Sequence, residues 1–187
     1  HDLFVDPVEP GSFDHRSAAC YDWRHFTAHP PETPAMHPTV LRLTKSRERL
    51  LGVIGPLPES DLDRPASGDW TIRQTLTHLA LSEEDHCRVV EAIVSGATDQ
   101  LPRDLALDAH NASRLAAQPP LERPALLAAL AAQRERTLAL FAGLSDAQLA
   151  LTGPHPALGA IAAGDIFRVI AVHEQMHLRD IQAALDA

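Results

Sequence analysis

At 187 residues the chain is long enough for one domain with its own core and short for two. Its 16 basic residues are outnumbered by 25 acidic ones for a net charge of −9, and no predicted helix carries a basic stripe, so a nucleic-acid-binding surface has no electrostatic support. Apolar residues make up 45% and aromatics only 4%; the apolar share is mostly Ala and Leu, a mix that favours helices and predicts an all-α bundle.

The first 35 residues hold Pro7, Pro10, Pro30, Pro31 and Pro34 and no sustained period, which predicts an extended or disordered arm, or a start assigned too far upstream of Met36. They carry no basic stretch followed by an apolar run, so no signal peptide is expected. No later segment has the length and apolarity of a membrane span. Cys20 and Cys87 lie far apart without paired spacing, which argues against a disulfide framework and against a thiolate metal site. Cys87 sits in a helical pattern and reads as a small core residue. A reducing cytoplasm is the expected compartment.

From Pro38 the pattern is helical. Val40, Leu43, Leu50 and Ile54 recur at three-four spacing, Arg47 interrupts the stripe, and Gly55-Pro56 ends it. Residues 58–70 read as a loop. Thr71-Ile72-Arg73-Gln74 is a capping box that opens a second helix running to Ser95 before Gly96, with Ile72, Leu76, Leu79, Val90 and Val94 as its stripe and His78 and Asp85 beside it. A long connection over 97–123 has room for a short helix at 107–117, ended by Pro119-Pro120. A third main helix begins near Pro124 with Leu127, Leu130, Arg134, Leu138 and Phe141 inward, and Gly143 ends it. Ser145 opens one further turn, 153–159 reads as a loop, and a fourth main helix spans 165–185 with Ile166, Val169, Ile170, His173, His177, Ile181 and Ala184 as its inward stripe. The domain is then 36–187, and four helices of this size pack most economically as a bundle.

Two HxxxH patterns occur. His25 and His29 precede Pro30-Pro31 in a segment without helical period, so nothing there holds the rings on one face. His173-Glu-Gln-Met-His177 lies inside a helix, and two imidazoles one turn apart on an inward face can share one ion. HEQMH also matches the HExxH of zinc peptidases, with Glu174 as the proton acceptor. The remainder after His177 offers only Asp180 and Asp186 besides the chain terminus, so a third ligand must come from upstream. His78 is the best candidate, ahead of Asp85, His86 and His110. Glu174 is either a proton acceptor or a solvated side chain, Asp85 either a partner for a ligand imidazole or a solvated helix face. Trp70 reads as a pocket-mouth residue or a helix-entry anchor, and Asn111 as a substrate contact or a cap.

Asp69-Trp70-Thr71-Ile-Arg-Gln-Thr-Leu-Thr-His78-Leu-Ala resembles the W-[ST]-x-x-[ED]-x-x-x-H segment of the DinB/YfiT-like metalloenzyme family. His173-Glu-Gln-Met-His177-Leu-Arg-Asp-Ile181 resembles that family's C-terminal H-x-x-x-H-x-x-x-[IL] helix, and Leu107-Asp-Ala-His-Asn111 a D-x-x-N segment of some branches. The likeness covers 36–187. It implies a four-helix bundle with a long crossover from the second to the third main helix, often as a homodimer. It implies a divalent ion, zinc or nickel, on His78, His173 and His177. It also implies activity on a small molecule: transfer of a low-molecular-weight thiol to an electrophile, with a metal-dependent hydrolase or a non-enzymatic stress protein as alternatives. The sequence departs from the frequent R-G-Q after the last histidine, carrying Leu178-Arg179-Asp180 instead.

Overall fold

A computed structural model describes residues 36–102 and 105–187. The arm over 1–35, with Cys20 and the His25/His29 pair, lies outside the described residues. The elements in chain order are α1 (Pro38–Ile54), β1 (Pro65–Ser67), β2 (Trp70–Thr71), α2 (Ile72–Ser95), α3 (Leu107–Ala116), α4 (Arg123–Ala142), α5 (Asp146–Leu149), β3 (Thr152–His155), β4 (Gly159–Ala162) and α6 (Ala163–Asp186). The four long helices α1, α2, α4 and α6 are the four main helices expected from periodicity. No helix among the described residues is long and apolar enough to cross a membrane.

Local chemistry sets the helix ends. Thr71 accepts a bond from the Gln74 N–H and the Gln74 side chain reaches back to the Thr71 N–H, completing the predicted capping box of α2. Gly96 closes the same helix at φ +77°, a conformation costly for a residue with a Cβ. Pro38 and Pro124 sit in first turns, where their missing N–H costs no helix bond.

The helices pack in the cyclic order α1–α6–α2–α4, with α1 and α2 on a diagonal although they follow each other in the chain. The connection from α2 to α4, containing α3, is the long crossover. Two segments read as loops are structured instead. Residues 65–71 form a short antiparallel pair, β1 with β2, and 152–162 form the hairpin β3–β4, in register from Thr152 opposite Ala162 to His155 opposite Gly159. Neither shows an alternating apolar pattern, because both are short and half exposed, so nothing in composition announces them.

The apolar core has two parts. Leu43, Val90, Ile93, Phe141, Ile166, Phe167 and Ile170 fill one end, with Cys87 beside them. Burial pushes the Cys87 thiol up to about 11, the inert behaviour of a core cysteine. Leu50, Ile54, Ile72, Leu76, Leu126, Leu130 and Ile181 fill the other end. Between them lies a layer of charge, with one member from each long helix: Arg47, Glu83, Arg134 and Glu174, none more than 5% exposed. Arg47 Nε donates to Glu174 Oε1 at 2.5 Å and Arg47 Nη2 to Glu83 Oε2 at 2.7 Å. Arg134 forks onto Glu83 at 2.7 and 3.1 Å and also donates to Glu174 Oε2 at 3.1 Å. The remaining guanidinium nitrogens donate to the Leu130 and Leu43 carbonyls, and the Ser46 and Thr137 hydroxyls donate to Glu174 and Glu83. Burial opposes the Glu83 charge, but Arg134 and Arg47 outweigh it and hold the carboxyl below its ordinary range. Two positive and two negative side chains satisfy one another, as buried charge must.

Candidate metal centre

His78 enters from the second turn of α2, and His173 and His177 from one face of α6. The expected trio is brought together. His173 Nε2 lies 3.2 Å from His78 Nε2 and 3.1 Å from His177 Nε2, and the three nitrogens fall within 4.8 Å of one another. Donor nitrogens of a tetrahedral site with bonds of 2.0–2.1 Å lie about 3.3 Å apart. The separations of His173 from the other two match that spacing, as a small divalent ion held between them requires.

The proton inventory agrees. His177 Nδ1 lies 3.1 Å from Asp180 Oδ2, so this ring carries its proton on Nδ1 and turns a bare lone pair inward. A triangle of Nε2 atoms with one proton already committed elsewhere has too few hydrogens to satisfy itself. Burial, joined by the neighbouring imidazoles, pushes His78 down to about 4 and His173 down to about 3, which keeps their lone pairs available at neutral pH. Burial lowers His177 as well, against the pull of Asp180. Trp70, on β2, packs its ring against His78 at a centroid distance of 4.8 Å and limits how that ligand can turn.

His78 and His173 border a cavity of about 550 Å³ between α2, α3, α6 and the β3–β4 turn. Asn111 on α3 lines it, together with Ser82, His86 and His155. Trp70 does not line this cavity. It borders a separate groove with Arg73 and Leu115, because β2 holds it on the far side of His78.

Two expectations are corrected. Glu174 neither takes a proton at the site nor faces solvent: it is 2% exposed, and both its oxygens are occupied by Arg47, Arg134 and Ser46. The stripe of α6 is accordingly rotated from the expected one. Ile166, Ile170, Glu174 and Ile181 point to the centre, while His173 and His177 flank it at half-buried positions, His173 on the cavity wall. Asp85 is no partner of a ligand ring. It meets His110 Nε2 at 3.1 Å and Arg114, tying α3 to α2. The carboxylate that does orient a ligand is Asp180, and its position three residues after His177 on one helix is the signal for it in the sequence.

A comparison with curated proteins finds no match. Among solved structures the chain is similar to YfiT from Bacillus subtilis, described as a probable metal-dependent hydrolase with an unusual four-helix bundle topology. The identity is 23% and the TM-score 0.62, over 78% of this chain and 83% of that one. It is also similar to a mycothiol-dependent maleylpyruvate isomerase, at 13% identity and a TM-score of 0.66, where it covers 76% of its own length and 59% of the isomerase. TT2238, a four-helix bundle protein, matches at 27% identity and a TM-score of 0.56, over 78% and 96% of the two chains. The family profile of the DinB superfamily matches residues 42–181, a span that contains all three histidines and all four long helices but for the ends of α1 and α6. On that match, and on a bundle that gathers its histidines as the motifs imply, the chain belongs to the DinB superfamily.

Proposed function

We propose that the protein is a metal-dependent enzyme that transfers a low-molecular-weight thiol to a small electrophile. The observation that carries this reading is the convergence of three uncharged Nε2 atoms beside a largely apolar cavity. His78, His173 and His177 would hold the ion, zinc or nickel by resemblance. A divalent ion, when bound, lowers the pKa of a thiol or water that it holds. The chain's own part is positioning. Asp180 keeps the His177 lone pair turned inward, Trp70 limits the motion of His78, and the cavity offers a largely apolar wall beside the ligand rings. Asn111 would offer its amide to the substrate.

In the transfer, the thiolate sulfur bonds to an electrophilic carbon. A halide then departs, or an epoxide C–O bond opens and its oxygen takes up a proton. The mycothiol dependence of the similar isomerase supports a thiol as cosubstrate. The printed description of YfiT supports the second reading, hydrolysis of a small molecule. The discriminating experiment supplies zinc- or nickel-loaded protein with a halogenated aromatic or an epoxide, with and without mycothiol, bacillithiol or glutathione. Product that needs both thiol and metal is expected. Product from water alone would favour the hydrolase, and equal rates from metal-free protein would rule out both. Sedimentation of the same samples tests the homodimer.

A further inference from the structure

Of the seven large apolar side chains that stand exposed among the described residues, four rim one cavity beside the histidines: Leu107 on α3, Leu158 in the β3–β4 turn, and Val172 and Met176 on α6. An exposed apolar collar drawn from three elements is unlike the scatter expected of surface residues and points to a ligand. The cavity, at about 550 Å³, has the size of a small-molecule site. Its charge is balanced. Arg168 is the one Arg or Lys in its lining, and it donates to Asp165 at 3.0 Å, also in the lining, so no unpaired cation stands ready for a carboxylate.

The polar part of the wall is a pair of histidines with opposite, backbone-set tautomers. His86 Nδ1 lies 2.7 Å from the Ser82 carbonyl, a pure acceptor, so this ring donates there and keeps a lone pair on Nε2. His155 Nδ1 accepts the Ala157 N–H at 3.1 Å, so the neutral ring carries its proton on Nε2. The ring centroids are 5.2 Å apart, and neither Nε2 has a hydrogen-bond partner among the described residues. One acceptor and one donor therefore stand side by side in an apolar enclosure.

We infer that this cavity takes an uncharged small molecule with an apolar body and a head group that both donates and accepts a hydrogen bond, such as a carboxamide. The amide N–H meets His86 Nε2, and the amide oxygen meets the His155 Nε2–H. The apolar body lies against Leu158, Val172 and Met176. This selectivity rests on the reading of the cavity as the substrate site of the metal centre, and it narrows that substrate to neutral molecules.

The test uses the full chain, stripped of metal by a chelator at pH 8. Metal then cannot capture a carboxylate, and imidazoles with ordinary titration are neutral. Naphthalene-2-carboxamide and naphthalene-2-carboxylate, nearly equal in shape, are titrated by calorimetry. The amide is expected to bind at least about tenfold more tightly, a difference of about 1.4 kcal/mol. Val172→Asp should weaken amide binding about tenfold by charging the apolar wall. His155→Phe, which keeps the ring and removes the donor, should weaken it about fivefold. Unchanged zinc uptake and melting certify that the variants fold. Equal or tighter binding of the carboxylate, no binding of either probe, or an amide affinity indifferent to both substitutions overturns the inference. The measurement needs neither metal nor turnover. Failed catalysis with intact amide binding therefore counts against the transferase reading alone, and failed amide binding with intact catalysis counts against this selectivity alone.

Discussion

Two clusters of ionisable side chains are built on the same stretches of α2 and α6, and they are opposites. The quartet of Arg47, Glu83, Arg134 and Glu174 is closed: each carboxylate oxygen and each guanidinium nitrogen has a partner, and the charges cancel. The trio of His78, His173 and His177 is open, with the His177 lone pair turned inward beside two further ring nitrogens and a cavity at its side. Glu174 and His173 are neighbours in sequence, yet one belongs to each cluster, because adjacent residues on a helix are about 100° apart. Burial of charge by itself does not mark function. What distinguishes the trio is unspent bonding capacity directed at one point.

The largest effect should come from breaking the quartet. Glu174→Ala leaves Arg47 and Arg134 buried without their full counter-charge, and a buried pair broken on one side costs about 3–5 kcal/mol. That is a large part of the stability of a small domain, so urea unfolding should show a sharply lowered midpoint or a chain that is no longer cooperatively folded. A loss under about 1 kcal/mol would mean that the quartet is not the closed structural unit described.

His173→Ala should do the reverse, sparing the metal-free fold and abolishing the response to metal. The four apolar helix faces hold the bundle without an ion, unlike a zinc finger. Wild-type protein at free zinc 100 times its dissociation constant should gain about 2.7 kcal/mol, and the variant almost nothing. Circular dichroism melts of both proteins, with chelator and with zinc, check each part. Loss of helicity in wild type on chelation alone would make the ion structural and the open site a misreading.

Asp180→Asn tests the orientation of His177. It should lower zinc affinity about 10- to 100-fold, as loss of a carboxylate behind a ligand imidazole does, with metal-free stability nearly unchanged. Competition with a chromogenic chelator reads the affinity directly. An unaltered value would return Asp180 to the solvated surface.

The smallest effect is a pH dependence confined to metal-free protein. His78, near 4, and His173, near 3, refuse in the fold protons that the unfolded chain accepts near 6.5. The unfolded state binds more protons in that window, so the stability these groups retain above pH 6.5 is lost as the pH falls towards 4 and 3. Between pH 7 and 4.5 the melting temperature of metal-free wild type should drop more than that of His173→Ala. Parallel profiles would show that the trio is not buried as neutral rings.

The sequence by itself determined the long helices, their ends and the histidines that meet. Helix period, capping chemistry and Gly or Pro stops are local, and a motif of two ligands on one turn needs only that turn to be helical. What it left open was the role of every charged residue on the stripes. Arg47 stands in the pattern as an interruption, Arg134 as a member of an otherwise apolar stripe, and Glu174 as a proton acceptor or a solvated side chain, because a charge on a helix face is costly or stabilising according to what the other three helices place opposite it. The hairpin that brings His155 to His86, and the Asp180 that fixes a ligand's tautomer, depend likewise on distances between atoms rather than on order along the chain. Only the packed bundle decided which lone pairs were spent and which remained.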